Sequence, residues 1–125
     1  MADLLPWLYL ANSVLLINHE IDSAYWKEWE LFKLPGSLTG FLLLHFPLLF
    51  LILLGLILVY RHSIWGLIFS FALCFGGLFA FTVHAYFLRK GRAEFNKPIS
   101  KFILVAILLV SLVQLTATLY VMMTI

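Results

Sequence analysis

Four long apolar runs, joined by connections too short to hold a domain, leave this chain few folds to adopt. The runs cover about 4–24, 38–60, 64–88 and 99–122. Crossing the roughly 30 Å hydrocarbon core of a bilayer takes about 20 predominantly apolar helical residues. In lipid the backbone must satisfy its own polar groups, which excludes open strands. Composition points the same way: 64% of the 125 residues are hydrophobic and 11% charged, against roughly 45–50% apolar and about 25% charged in soluble domains. The expected fold class is all-α, a polytopic membrane protein forming one domain over residues 1–125. Its architecture is a bundle of four transmembrane helices over about 4–30, 38–60, 64–88 and 99–122, the first continuing through polar last turns.

The breaks carry turn chemistry. Pro35-Gly36 separates the first two helices, Arg61-His62-Ser63 makes helices two and three antiparallel neighbours, and Pro98 opens the fourth after a polar loop. Four crossings put both chain ends on one side. The other side, with loops 27–37 and 89–98, carries Lys27, Lys33, Arg89, Lys90, Arg92, Lys97 and Lys101, against Arg61 alone on the terminal side. Positive charge stays cytoplasmic, so the loops are expected in the cytoplasm and both termini on the exterior. Tyr25, Trp26 and Trp29 suit one interfacial belt, and Trp7, Tyr60 and Trp65 the other. The opening Met-Ala-Asp lacks the positive start of a secretory signal. The lone Cys74 excludes a disulfide framework, and a net charge of +2 without a basic cluster excludes nucleic acid as a partner.

Ionisable groups are costly inside a bilayer and usually mark a site. His19, Glu20, Asp22 and Ser23 end the first apolar run, and the next two runs carry His45 and His84. At 1.5 Å per residue, His19 lies ~8 Å, His45 ~10 Å and His84 ~6 Å inside the same membrane face. Three helices thus deliver imidazoles to one layer, with two carboxylates beside them. Histidine with Asp or Glu is a usual ligand set for zinc or iron. His19, Asp22, His45 and His84 are therefore candidate ligands of a divalent metal such as zinc or iron. The same cluster suits acid–base chemistry or a proton relay, with His19, Glu20 and Asp22 as candidate catalytic residues, because a carboxylate orients an imidazole and fixes its tautomer. Taken singly, His45 or His84 also has a structural reading, a hydrogen bond to a neighbouring helix. Glu28 and Glu30 read as interfacial ion pairs with Lys27 and Lys33.

A second polar layer pairs Asn12 on the first helix with Gln114 on the fourth, in a stripe with Ser111 and Thr118. An interhelical hydrogen bond is the plain reading. Gly66, Ser70, Gly77 and Ala80 fall near the His84 stripe, where small residues let a neighbour approach. Pro47 frees the carbonyl of Leu43 and suits a kink. Cys74 reads as a small buried residue, and the twelve phenylalanines as lipid-facing or core filler.

The run Asn18-His19-Glu20-Ile21-Asp22-Ser23-Ala24-Tyr25-Trp26, then Glu28-Trp29-Glu30 and Pro35-Gly36, resembles a family of small bacterial four-helix integral membrane proteins of unknown function. It is also distantly similar to the membrane family named for its HxxEE motif. His19 matches that motif's histidine and Asp22 its first acid. Ser23 stands where the second acid belongs, and Glu20 can supply a carboxylate. The resemblance implies a multi-pass protein of the bacterial inner membrane with a site at the end of the first helix, and brings no activity.

Three functions fit. The first is an intramembrane His/Asp/Glu site near the cytoplasmic face, metal-binding or acid–base, acting on a lipid-soluble substrate. The second is an accessory or assembly subunit of a larger membrane complex, without catalysis, whose polar cluster is interhelical glue or a partner contact. The third is proton, ion or small-solute transport by a homo-oligomer. In each, the lipid bilayer is the first partner.

Overall fold

The computed structural model describes residues 2–125, and these are all-helical: α1 (Leu5–Tyr25), α2 (Glu28–Leu31), α3 (Ser37–Tyr60), α4 (Ile64–Arg89) and α5 (Pro98–Met123). Pro6 and Pro98 sit in the first turns of α1 and α5, where a fixed φ helps and the missing N–H is not needed. Ser63, in extended backbone, caps α4 by accepting the Trp65 N–H at 3.2 Å.

The stretch read as one helix over 4–30 is broken. α1 stops at Tyr25, Lys27 turns left-handed at φ 54°, and α2 is a single turn. Lys33, Gly36 and Ser37 are left-handed too, at φ 55°, 97° and 52°. Glycine adopts this backbone freely, whereas other residues lose roughly 1–2 kcal/mol each. Burial of Trp29 and Leu31 offsets that cost, and the Trp29 ring packs 5.4 Å from Phe41 of α3. The chain therefore reverses under the end of α1.

Three of the described helices, α3, α4 and α5, are long and apolar enough to cross a membrane. α1 has the length, at 21 residues, but Asn12, Asn18, His19, Glu20 and Asp22 dilute its apolar character. α4 packs along α5, α5 along α1, α1 along α3, and α3 along α4. Large apolar side chains such as Phe46, Phe50, Phe79 and Phe102 cover the outside.

Polar groups lock the interior. Asn12 Nδ2 donates to Gln114 Oε1 at 2.8 Å and to Ser111 Oγ at 3.1 Å. Gln114 Nε2 donates to Ser70 Oγ at 2.9 Å, and Ser70 shares a 2.7 Å bond with Thr118. All five residues are buried, and together they join α1, α4 and α5. The Tyr9 hydroxyl donates to the Ile52 carbonyl at 2.8 Å and ties α1 to α3. At one end the two long loops meet, where Trp26 Nε1 donates to Ser100 Oγ at 3.2 Å and Lys97 lies 5.0 Å over Tyr25. At the other end Ala2, Ser63 and Ile125 line one hollow.

Candidate functional site

His19 and Ser23 are one helical turn apart, so both face inward from α1, and both are buried. His84 arrives from the last turns of α4. Its ring meets that of His19 edge-on, with centroids 4.8 Å apart. The reversal at Lys27 then swings the Glu28 carboxylate back beneath α1. Glu28 Oε2 lies 3.0 Å from His84 Nε2 and 4.0 Å from His19 Nε2. It also faces the Ser23 hydroxyl at 3.0 Å, while that hydroxyl lies 2.8 Å from the His19 carbonyl. His19, Glu28 and His84 thus offer ligand atoms all within 4.8 Å of one another.

Of the residues singled out in the sequence, His19 and His84 come together here. His45 instead pairs with Glu20, its Nε2 2.5 Å from Glu20 Oε2 and its Nδ1 2.6 Å from the Phe41 carbonyl. Both neighbours of that ring are oxygen acceptors. Asp22 stands outside both groups, with Oδ2 buried and unpartnered among the described residues. The expected ion pairs of Glu28 with Lys27 and Lys33 do not form among the described residues, because Glu28 turns inward to the imidazoles.

Sequence reading gave Glu28 no part in the site. No sequence motif signalled that role, which depends on the left-handed backbone at Lys27. Two aromatic rings were missed as well. Phe95, left-handed at φ 65° and fully buried, lies 4.0 Å from the His84 ring and 5.4 Å from that of His19. Phe32 stacks 5.9 Å from His84. Together they roof the imidazoles on the loop side and exclude water there.

On the side that faces Glu28, His19 Nε2 is left 4.0 Å from the carboxylate, beyond hydrogen-bond distance. Nδ1 of His19 and Nδ1 of His84 are buried with no hydrogen-bond partner among the described residues. Each such group costs about 1–3 kcal/mol. His45, by contrast, is satisfied at both nitrogens. Two imidazoles and a carboxylate form a recurrent donor set for zinc and for non-haem iron(II). Donors bound ~2.1 Å from one ion stand ~3.0–3.5 Å apart, and the 3.0 and 4.0 Å separations to Glu28 bracket that range. Small side-chain movements would bring all three onto one ion.

On the other side the site opens into a cavity of about 340 Å³ between α1, α3 and α4, lined at its polar end by His19, Glu20, Glu28 and His84. A family model described as a family of unknown function (DUF6713) matches residues 5–121. No curated protein and no solved structure matches the chain.

Proposed function

Because the chain belongs to the DUF6713 family, whose description carries no activity, we propose a function from the geometry of the site. The protein is an integral membrane protein that binds one divalent metal through His19, Glu28 and His84 and acts on a lipid-soluble substrate. Its four long helices cross the membrane as a bundle, with loops 27–37 and 89–98 in the cytoplasm. The observation that carries this reading is the convergence of two buried imidazoles and a carboxylate, from three separate elements, within 4.8 Å. The ion would polarise an oxygen of the substrate. Glu20, paired with His45, lines the same cavity and would act as the acid–base group beside the ion.

The distant likeness to the HxxEE-motif family belongs to the same reading. His19 takes the place of the motif histidine. Ser23, where an acid is replaced, receives its carboxylate from Glu28 through a 3.0 Å contact.

The test is elemental analysis of the protein purified in mild detergent. One divalent ion per chain is expected, lost in Glu28→Ala and in His84→Ala. Metal held equally by both variants, or wild-type protein that takes up neither zinc nor cobalt, would sink the proposal.

A further inference from the structure

The cavity beside the imidazoles is built unevenly. One end is polar, with His19, Glu20, Glu28 and His84. The rest is apolar down to Tyr9, whose hydroxyl is already engaged by the Ile52 carbonyl and leaves no free polar group there. Tyr9 and His19 stand ten positions apart on α1, a rise of about 15 Å.

One wall is kept bare. Ala72, Gly76 and Ala80 recur at four-residue spacing on α4 and all line the cavity. A Cβ added to Gly76 would meet nothing within 4 Å, so no helix contact requires a glycine there. A helix-interior glycine costs about 1 kcal/mol relative to alanine. The space it leaves belongs to the cavity, and Ala72 and Gly76 are exposed, so the cavity opens sideways on the apolar outer face.

The polar end points to the occupant. The His19 side chain is buried, and its Nε2 lies 4.0 Å from Glu28, beyond hydrogen-bond distance. Phe95 and Phe32 close this end from the loop side. No Lys or Arg is among the described residues that line the cavity, and the carboxylates of Glu20 and Glu28 at its polar end disfavour a phosphate headgroup. A small oxygen-bearing head fits beside the imidazoles.

We infer that this cavity takes the hydrocarbon chain of a single-chain amphiphile, of the fatty alcohol, aldehyde or acid class, drawn sideways from the bilayer with its head at His19, Glu28 and His84. The inference rests on the site reading above and adds the substrate class to it.

Photo-crosslinking of the full chain in nanodiscs tests it with two probes, a diazirine-bearing dodecanol and a diazirine-bearing phosphatidylcholine. The alcohol is expected to label cavity residues such as Leu48, Ile52 and Val83, and the phospholipid only outer positions such as Phe46 and Phe102. Gly76→Trp should fill the cavity and weaken alcohol labelling at least about tenfold, or about 1.4 kcal/mol of binding. Ala80→Leu gives an independent block of the same wall. Cobalt uptake is read on every variant. Normal cobalt uptake with alcohol labelling confined to outer faces, or untouched by both blocking variants, overturns the inference and leaves the metal site standing. Cavity labelling without cobalt uptake supports chain occupancy and overturns the metal.

Discussion

Glu28 Oε2 lies 3.0 Å from His84 Nε2, and the same oxygen faces the Ser23 hydroxyl at 3.0 Å. On an uninterrupted helix Glu28 would project from the face opposite His19 and about 13 Å beyond it. The left-handed turn at Lys27 removes that separation, and one carboxylate serves groups on α1 and α4. The following outcomes are expected from this and related contacts.

Glu28 should matter more to metal than Asp22. Glu28→Ala is expected to weaken zinc binding by more than the roughly 10–100-fold that a supporting residue contributes. Asp22→Asn should weaken it less than Glu28→Ala, because Asp22 stands outside the group. Calorimetric zinc titration of both variants in one detergent makes the comparison. Equal losses would remove Glu28 from its place in the site.

Acid should destabilise the protein through Glu28, which lies on α2, outside the long helices. Burial by itself pushes this carboxyl up. The His84 ring against it, the charges of His84 and His19, and the Ser23 hydroxyl outweigh burial and hold it below its ordinary value. A carboxyl lowered in the folded state adds stability above its unfolded value, near about 4.3. That stability is lost as pH falls through the folded value. The melting temperature is expected to drop on acidification across this window, and to drop less in Glu28→Gln. Thermal melts followed by circular dichroism give both limbs, and identical limbs would contradict the assignment.

The buried amide layer should be coupled. Gln114→Ala leaves Asn12 and Ser70 each short of a partner, and a loss of about 1–2 kcal/mol is expected. Ser111→Ala should cost less, because Asn12 keeps its 2.8 Å bond to Gln114. A double-mutant cycle between Asn12 and Gln114 in detergent unfolding should return a coupling of about 0.5–2 kcal/mol. Strict additivity would mean that the bond contributes nothing.

Adjacent glycines should respond in opposite directions. A Cβ on Gly77 would collide with Ser111 Oγ and reach within 3.0 Å of Ile107 Cγ2. Gly77→Ala is expected to destabilise by about 1–3 kcal/mol through overpacking. Gly76→Ala meets open space and should gain up to about 1 kcal/mol of helix propensity. Paired melts decide the matter, and a stabilised Gly77→Ala would show that α4 and α5 do not approach as closely as described.

The proposed orientation places loops 27–37 and 89–98 in the cytoplasm. Gly91→Cys, in the loop that meets α2, should react with an impermeant maleimide only from the cytoplasm. His62→Cys, in the turn between α3 and α4, should react only from outside. The reverse pattern would invert the orientation.

The helical class and the apolar spans were legible in the chain because they depend on local properties. Length, hydropathy and prolines act within one segment, and α3, α4 and α5 follow directly from them. The inward faces of His19 and His84 were legible as well, since helical periodicity sets them. Glu28 was not. Its role depends on a left-handed lysine, a one-turn helix anchored by Trp29 and Leu31, and a turn at Gly36, none of which periodicity records. His45 shows the same limit from the other side. Its depth was readable, but its choice of Glu20 over the other imidazoles depends on how α1 and α3 rotate against each other. Phe95 is the third case, a loop residue that tertiary packing carries over the imidazoles. Sequence alone determined the long helical segments and the inward faces of His19 and His84. Tertiary structure decided which polar residues meet, because partner choice rests on contacts between segments that are distant along the chain.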